Sequence, residues 1–357
     1  FDLTQNEDYF EIPDAYLDTE LVKNPMVIGH PNFRFFGGVP ITSVEIANAV
    51  SNGWVFLAEG NRYSVSRNGI MYSIEKIIDK TDLPKGAISI LPMDRETGNL
   101  LVTDERFKLL SFTGSPAVGW EMKSESGKKK VVLELGGNAA TIIAPSADLK
   151  DAIPKSLMGA FAYSGQICIH AQRFIIHSSI YQNFIDELKT ATLDLKFGNP
   201  LDVTTDISNM IDEANAIRLE SWITEAIQQG AKLICGGKRK GSYHEPTILT
   251  QCTSNMKVYA EEVFGPIICV NSYETIDDAI QQANNTKFGL QCGVFTNDQV
   301  ELDKCFKQLE VGGVIHNHVP TLRYDQMPYG GVKDSGIGRE GVKYAMLDML
   351  ETKILVK

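Results

Sequence analysis

From about Ile70 onward, short apolar runs alternate with longer amphipathic segments, and this alternation restricts the fold more than any other feature. Runs such as Phe174–Ile176 and Ile267–Tyr273 are rich in β-branched and aromatic residues, which predicts buried strands. Between such runs, apolar residues recur at helical spacing, and Asp148 is a candidate N-cap for one helix. Repeated strand–helix alternation predicts an α/β fold built on a mostly parallel sheet. A long helix is predicted from Ile207 to Gln229, ending at Gly230.

Composition excludes several classes of partner. The chain has 357 residues and a formal net charge of −11, so we expect no binding to nucleic acid or to an anionic membrane. No apolar run reaches the ~20 residues of a membrane-spanning helix. Phe1–Thr4 has neither the basic region nor the apolar core that opens a signal peptide, so we expect a cytoplasmic protein.

Six cysteines are spread along the chain without a C-x-x-C pair, which favours reduced thiols over disulfides or a zinc site. We therefore expect no metal site. Cys168 differs from the others because it follows a predicted helix and lies behind Gly165, where its sulfur can face a cleft. Only a thiolate is a good nucleophile, so such a site must lower the thiol pKa or supply a base. The remaining five are expected to be buried structural residues: Cys235, Cys252, Cys269, Cys292 and Cys305.

One carboxylate, Glu134, lies in an apolar strand that ends in Gly136 and Gly137. Burial there would raise the pKa of Glu134, as a general base requires. The sequence alone leaves open an edge-strand glutamate that faces water.

Three further segments have the composition of functional turns. The segment from Phe112 to Gly119 follows a strand and opens a helix, which suits a phosphate, although it lacks a G-x-G-x-x-G pattern. The segments Glu261–Pro266 and Pro328–Gly336 are loops punctuated by glycine and proline, and composition alone identifies them only as turns.

Taken together, these segments resemble the NAD(P)-dependent aldehyde dehydrogenase superfamily from about Met71 to Lys357. Gly165–Cys168 resembles the catalytic-cysteine motif and Glu134–Gly137 the glutamate motif, and their separation of 34 residues is typical of the family. Glu262–Pro266 is similar to the nicotinamide-ribose loop. The resemblance implies cofactor contacts from six residues: Gly114, Ser115, Gly119, Leu135, Glu262 and Phe264.

The resemblance also implies an activity, the oxidation of an aldehyde to a carboxylic acid with NAD or NADP. The Cys168 thiolate would attack the aldehyde, and its backbone N–H would donate to the oxyanion. After hydride transfer to the nicotinamide, Glu134 would activate the water that hydrolyses the thioester. Leu347–Lys357 resembles the strand that family members use in oligomer contacts, which implies a homo-oligomer.

The N-terminal part departs from the family. Residues 1–41 resemble a fragment of an α+β GAF sensor domain, and residues 42–70 form an unassigned junction. The expected fold is thus α/β and aldehyde-dehydrogenase-like, with a partial Rossmann-type cofactor domain (71–134), an α/β catalytic domain (135–340) and a C-terminal helix end and strand (341–357). The family's oxyanion-hole asparagine and ribose-binding lysine have no match before Ile70, so we expect weak NAD(P) binding by this chain.

Two alternatives stay open at this point. A non-catalytic sensor or scaffold, derived from a fusion of GAF and aldehyde dehydrogenase segments, would need neither Cys168 nor Glu134. Related reductases that act on acyl phosphates or acyl-CoA share the cysteine but usually lack the glutamate base, so Glu134 argues against them. The particular aldehyde and the choice between NAD and NADP are not encoded in the motifs.

Overall fold

The computed structural model describes residues 94–324 and 326–356, together with Asp82 and two short strands, Phe10–Ile12 (β1) and Phe36–Gly38 (β2). β1 and β2 pair antiparallel. The rest of the predicted GAF-like fragment and the junction at 42–70 lie outside the described residues. A three-residue antiparallel pair is common to many folds, so it does not test the GAF-like interpretation.

Helices and strands alternate along the described chain. The helices are α1 (Arg95–Thr103), α2 (Pro116–Glu125), α3 (Leu149–Phe161), α4 (Ser178–Leu193), α5 (Glu213–Gln228), α6 (Lys257–Ala260), α7 (Ile276–Asn284), α8 (Gln299–Gln308) and α9 (Val342–Met349). The remaining strands are β3 (Leu109–Thr113), β4 (Lys130–Glu134), β5 (Ala139–Ile143), β6 (Ala171–His177), β7 (Lys232–Cys235), β8 (Arg239–Lys240), β9 (Tyr243–His244), β10 (Thr247–Thr250), β11 (Ile267–Tyr273), β12 (Phe288–Gly289), β13 (Gln291–Phe295), β14 (Gly313–His316), β15 (Val332–Lys333) and β16 (Gly336–Ile337). Of the described helices, none combines the length and apolar character that crossing a membrane requires.

The chain divides into two compact units at the bond between Leu135 and Gly136. Unit 1 comprises Phe1–Leu135, Tyr324–Tyr329 and Ile337–Lys357, and unit 2 comprises Gly136–Arg323 and Gly330–Gly336. The division lies one residue after the predicted boundary at 134/135. Segment 341–357, which the sequence set apart, falls in unit 1.

Unit 1 contains a β–α–β arrangement. β3 and β4 are parallel, with Phe112 opposite Leu133 and Thr113 opposite Glu134, and α2 connects them. Phe112, Leu133 and Leu135 form the buried apolar cluster of this part. The ends of both strands, where a parallel sheet places its ligands, are therefore Thr113 and Glu134.

Unit 2 is built on a seven-stranded sheet in the order β14–β13–β5–β6–β11–β10–β7. All neighbours pair in parallel except β7, which lies antiparallel to β10 at one edge. Every residue of β5 is buried, as expected for a parallel strand that is covered on both faces. The prediction of a mostly parallel sheet is confirmed.

Helix boundaries follow the capping residues. The Asp148 carboxylate accepts a hydrogen bond from the Lys150 N–H, which confirms the predicted start of α3. α5 begins at Glu213 rather than near Ile207, because Asp212 caps it and the Ile207 N–H is bonded to the Lys196 carbonyl. Gly230 follows α5 with a φ of +106°, as the sequence predicts for a C′ glycine.

The C-terminal segment differs from its predicted form. Leu347–Lys357 is predicted to be a strand, but α9 continues to Met349 and ends where Leu350 adopts an extended backbone (φ −99°, ψ 152°). Residues 351–356 have no regular secondary structure in this chain. Ile354, Leu355 and Val356 are at least 80% exposed.

A buried cation joins three parts of unit 2. Arg173 of β6 is 2% exposed, and its guanidinium donates to the carbonyls of Asn138 (2.8 Å), Gln282 (3.0 Å) and Ala283 (2.9 Å). The last two carbonyls belong to the final turn of α7, where the helix dipole favours a positive charge. The ring of Tyr259 lies 5.3 Å from the guanidinium carbon. Arg173 thus fixes the end of α7 against the sheet.

Candidate active site

Cys168 lies in a loop between α3 and β6 that has an unusual backbone. Three consecutive residues adopt the left-handed region, namely Tyr163 (φ 55°), Ser164 (φ 55°) and Gly165 (φ 67°). For a residue with a side chain, this conformation costs roughly 1–2 kcal/mol. The loop must therefore be held by contacts elsewhere in unit 2.

Two side chains in the loop supply those contacts. The Ser164 hydroxyl donates to the Ser208 carbonyl at 3.0 Å and accepts from the Ser208 N–H at 3.1 Å. The Gln166 side-chain oxygen accepts from the Ile211 N–H at 2.9 Å. These bonds tie the loop to residues 208–211 and set the backbone from which Cys168 projects.

All six cysteines lie among the described residues, and Cys168 is the one that is half-buried while the others are buried. Burial raises the pKa of Cys292 to about 12 and of Cys305 to about 11. Burial also raises the pKa of Cys235 and Cys269. A thiol with a raised pKa is a poor source of thiolate near neutral pH, which fits the prediction of structural roles for these residues.

Glu262 and Phe264 lie in the loop between α6 and β11. One carboxylate oxygen of Glu262, Oε1, accepts from the Gly137 N–H at 3.0 Å. Burial raises the pKa of Glu262 to about 7, although the Gly137 N–H and the positive charge of Arg218 act in the opposite direction. A side chain at Gly136 would meet Glu262, since a Cβ there would lie 2.2 Å from Oε2. Phe264 adopts a φ of 49° and is half-buried.

The loop of Cys168 and the loop of Glu262 pack against each other through their main chains. A Cβ built on Gly165 would lie 2.1 Å from the Gly265 carbonyl oxygen and 3.0 Å from the Pro266 nitrogen. A Cβ on Gly137 would lie 2.7 Å from the Cys168 carbonyl oxygen. Unit 2 therefore brings together the predicted nucleophile segment, the predicted ribose loop and the two glycines that follow Glu134 and Leu135.

The remaining predicted site residues lie in unit 1. Glu134 is the last residue of β4 and is 4% exposed, which excludes the alternative of a glutamate facing water. The Gly114 N–H donates to the Glu134 carbonyl at 3.1 Å. Leu135 packs on Gly119 of α2, where an added Cβ would lie 2.4 Å from its Cδ2 atom. Gly114, Gly119, Glu134 and Leu135 therefore form one group.

Each group, taken by itself, has a feature that suits one part of a dinucleotide. Ser115 is the N-cap of α2 and makes no side-chain capping bond, while Pro116 occupies the first turn. The N–H groups of a first helical turn have no partner within the helix, so this end of α2 suits a phosphate. In unit 2, the Glu262 carboxylate can accept from hydroxyl groups. Among the described residues, no cluster of His, Cys, Asp or Glu could hold a metal ion.

Sequence reasoning missed two buried amides that hold this part of unit 2. Asn138 is 1% exposed and donates to the Tyr259 and Ala260 carbonyls. Gln172 is fully buried and contacts the Glu262 loop. The signal available in the sequence was a glutamine inside the apolar run of β6.

A third loop lies beside the nucleophile segment. The Thr321 hydroxyl donates to the Ile169 carbonyl at 3.2 Å. The Gln291 side chain, which is 2% exposed, donates to the Pro320 and Leu322 carbonyls. These bonds hold residues 320–322 next to the residue that follows Cys168.

Known proteins resemble this chain over most of its length. The aldehyde dehydrogenase family matches residues 63–355. A 3-sulfolactaldehyde dehydrogenase of Priestia aryabhattai is 44% identical over 284 residues, which is 79% of this chain and 60% of that protein. A lactaldehyde dehydrogenase of Methanococcus aeolicus is 40% identical and is covered to 61%. The chain thus spans about three fifths of the length of these curated relatives.

Solved structures agree with the fold. Aldehyde dehydrogenase 21 of Physcomitrella patens, in complex with the reaction product succinate, matches with a TM-score of 0.79 and 46% identity, over 82% of this chain and 61% of that one. A glyceraldehyde-3-phosphate dehydrogenase of Methanocaldococcus jannaschii with NADP matches with a TM-score of 0.79 and 36% identity. The match covers 83% of this chain and 64% of that one. A betaine aldehyde dehydrogenase of Staphylococcus aureus with NAD+ matches with a TM-score of 0.76 and 31% identity. The match covers 79% of this chain and 60% of that one.

These comparisons bear on three expectations. The family match begins at residue 63, inside the predicted junction, rather than at Met71. They give no support to the GAF-like interpretation of residues 1–41 or to a sensor or scaffold. The α/β architecture, the parallel sheet and the match over 63–355 lead to one conclusion: the chain belongs to the aldehyde dehydrogenase family.

Proposed function

We propose that this protein oxidises an aldehyde to a carboxylic acid with NAD or NADP, with Cys168 as the nucleophile. The observation that supports this most directly is the packing of Gly165 on Gly265 and Pro266. It brings the segment of the most accessible thiol alongside the loop of Glu262, within unit 2.

In this proposal the Cys168 sulfur attacks the aldehyde carbon and forms a thiohemiacetal. The backbone N–H of Cys168 donates to the oxygen that becomes negative, an electrostatic contribution typical of acyl transfer. The bound cofactor supplies the hydride acceptor, which leaves a thioester on Cys168. Glu134 then takes a proton from the water that hydrolyses this thioester and releases the acid.

The cofactor contacts follow the two groups of residues. Glu262 would accept from the hydroxyls of the nicotinamide ribose, and Phe264 would contact the nicotinamide ring. The start of α2 would bind the pyrophosphate through Gly114 and Ser115, and Gly119 and Leu135 would set the position of that helix on its strand. The short distance between Gly119 and Leu135 supports this role because it lets the helix approach the strand closely.

The substrate is a small polar aldehyde. The relatives are named for 3-sulfolactaldehyde and lactaldehyde, and one solved neighbour holds succinate. Each of these compounds has few carbons and at least one hydroxyl or anionic group. A long apolar aldehyde is therefore the less favoured class.

We also propose that the protein is a cytoplasmic homo-oligomer. Six cysteines without a disulfide suit a reducing compartment. The exposed apolar residues Ile354–Val356 suit a surface that another subunit covers. Sedimentation of the purified protein measures the oligomeric state, and a monomer at micromolar concentration would contradict it.

Pre-steady-state kinetics test the proposed chemistry. With saturating NAD or NADP, as the expected weak cofactor binding requires, and a panel of small aldehydes, the unaltered protein should give a burst of reduced cofactor followed by turnover. Cys168→Ala should give neither. Glu134→Gln should keep the burst and lose turnover, because hydride transfer precedes hydrolysis, while the exposed control Glu125→Gln should behave as the unaltered protein. Loss of the burst in Glu134→Gln would assign Glu134 an earlier role, and no burst with any aldehyde would refute the function.

A further inference from the structure

Gln172 occupies an unusual position in the core of unit 2. It is the second residue of β6, four residues after Cys168, and its side chain is fully buried. A buried amide is unfavourable unless its polar atoms are hydrogen-bonded. Gln172 therefore needs partners, and it finds them in residues 258–263, which belong to α6 and the start of the loop that follows it.

Those hydrogen bonds surround Glu262. The Gln172 Nε2 atom donates to the Glu261 carbonyl at 2.8 Å, and its Oε1 atom accepts from the Val263 N–H at 3.0 Å. The same nitrogen donates to the Val258 carbonyl at 3.0 Å. One side chain thus contacts the residues immediately before and after Glu262.

Two other side chains also bond to this segment. Asn138 donates to the Tyr259 carbonyl at 3.0 Å, and Arg218 donates to the Val263 carbonyl at 2.8 Å. Each of these two bonds reaches one side of Glu262, whereas Gln172 bonds to the residues on both sides. In a water-excluded interior the three bonds of Gln172 are strong, and they fix the backbone from which the Glu262 carboxylate projects.

We propose that Gln172 is a positioning residue for the cofactor: it holds Glu262 in the orientation in which its carboxylate meets the nicotinamide ribose. This inference rests on the proposed function. Because β6 begins three residues after Cys168, Gln172 also links the nucleophile segment to the cofactor loop. Gln172 thereby keeps the loop of Glu262 in a fixed position relative to the segment of Cys168.

The unit offers a matched control. Gln291 is also a buried amide, but its Nε2 atom donates to the Pro320 and Leu322 carbonyls instead. Gln172→Met and Gln291→Met each replace a buried amide by an apolar side chain of similar length. They differ in which loop loses its support.

Amide hydrogen exchange of the intact protein without cofactor is the first measurement. In Gln172→Met the Val263 amide should exchange at least about 10-fold faster than in the unaltered protein, because it loses its acceptor. In Gln291→Met its exchange should be unchanged. In Gln172→Glu the Val263 amide should exchange at an intermediate rate, since a protonated carboxyl keeps an acceptor for Val263 and one donor.

Cofactor titration and steady-state kinetics are the second measurement. Gln172→Met should raise the dissociation constant and the KM for NAD(P) by about 10- to 100-fold and change the aldehyde KM by less than about 3-fold. Gln291→Met should affect the aldehyde KM more than the cofactor KM. Gln172→Glu should recover part of the cofactor affinity.

The outcomes separate this inference from the proposed function. If the unaltered protein binds neither NAD nor NADP, the proposed function is refuted and the cofactor role of Gln172 with it. If it binds cofactor but Gln172→Met binds equally well, or if Val263 exchange is unchanged, the positioning role alone is refuted. Equal effects of Gln172→Met and Gln291→Met on both KM values would also refute it.

Discussion

Replacing Gly165 by alanine tests the packing that places Cys168 beside the Glu262 loop. The added Cβ would lie 2.1 Å from the Gly265 carbonyl oxygen and 2.4 Å from its carbon. Both are main-chain atoms, so no side-chain rotation can relieve the overlap. Gly165 also has a φ of +67°, a conformation that alanine adopts at a cost of roughly 1–2 kcal/mol.

Gly241→Ala separates these two contributions. Gly241 lies in the same unit with a φ of +59°, and a Cβ there meets nothing within 4 Å. In this variant the free energy of unfolding should fall only by the cost of the left-handed backbone conformation, roughly 1–2 kcal/mol. In Gly165→Ala, overpacking should cost about 1–3 kcal/mol more, and the free energy of unfolding should therefore fall by about 2–5 kcal/mol in total.

Urea unfolding followed by intrinsic fluorescence measures both variants. Gly165→Ala should have the lower midpoint, and its remaining folded protein should lose about 100-fold in aldehyde oxidation, because a displacement near 1 Å has that effect on reacting groups. Gly241→Ala should keep full activity. Equal midpoints for the two variants would refute the close approach of Gly165 to Gly265.

Further predictions concern the thiols and the pH dependence. Iodoacetamide should modify Cys168 first, because burial raises the pKa of Cys292 and Cys305; faster modification of either of these would contradict the assignment. Burial raises the pKa of Glu262 from 4.5 to about 7, so its folded form holds a proton that the unfolded form releases in this range. Wild-type stability should therefore fall as the pH rises from 4.5 to 7, by at most about 3 kcal/mol relative to Glu262→Gln. Urea midpoints of the wild type and of Glu262→Gln at pH 5 and pH 8 measure this difference. An equal change of the midpoint in both proteins would disprove the prediction.

Local signals allowed much of the fold to be predicted. The start of α3 at Asp148 and the turn at Gly230 depend on one residue each, and both are confirmed. The parallel sheet follows from the alternation of apolar runs and amphipathic segments. The motifs around Cys168 and Glu134 were recognised as a resemblance, and the family match over residues 63–355 agrees with it.

Features that depend on distant contacts were not predictable. The apolar residues near Ile207 suggested a helix. In the structure the Ile207 N–H donates to the Lys196 carbonyl, and the helix begins only after its N-cap, Asp212. The edge strand β7 has few residues and little alternation. Gln172 reaches carbonyls 86 and 89 residues away, and no periodicity in the sequence reports such a bond.

The burial of Arg173 has a consequence for how unit 2 folds. Its three carbonyl acceptors lie 35, 109 and 110 residues away along the chain, so they meet only when β6 and α7 are both in place. A guanidinium stays charged throughout the physiological pH range, and burying it without acceptors would cost several kcal/mol. We therefore expect intermediates with a formed sheet and an undocked α7 to be scarcely populated. We expect β6 and α7 to open together, as one cooperative element, in native-state hydrogen exchange.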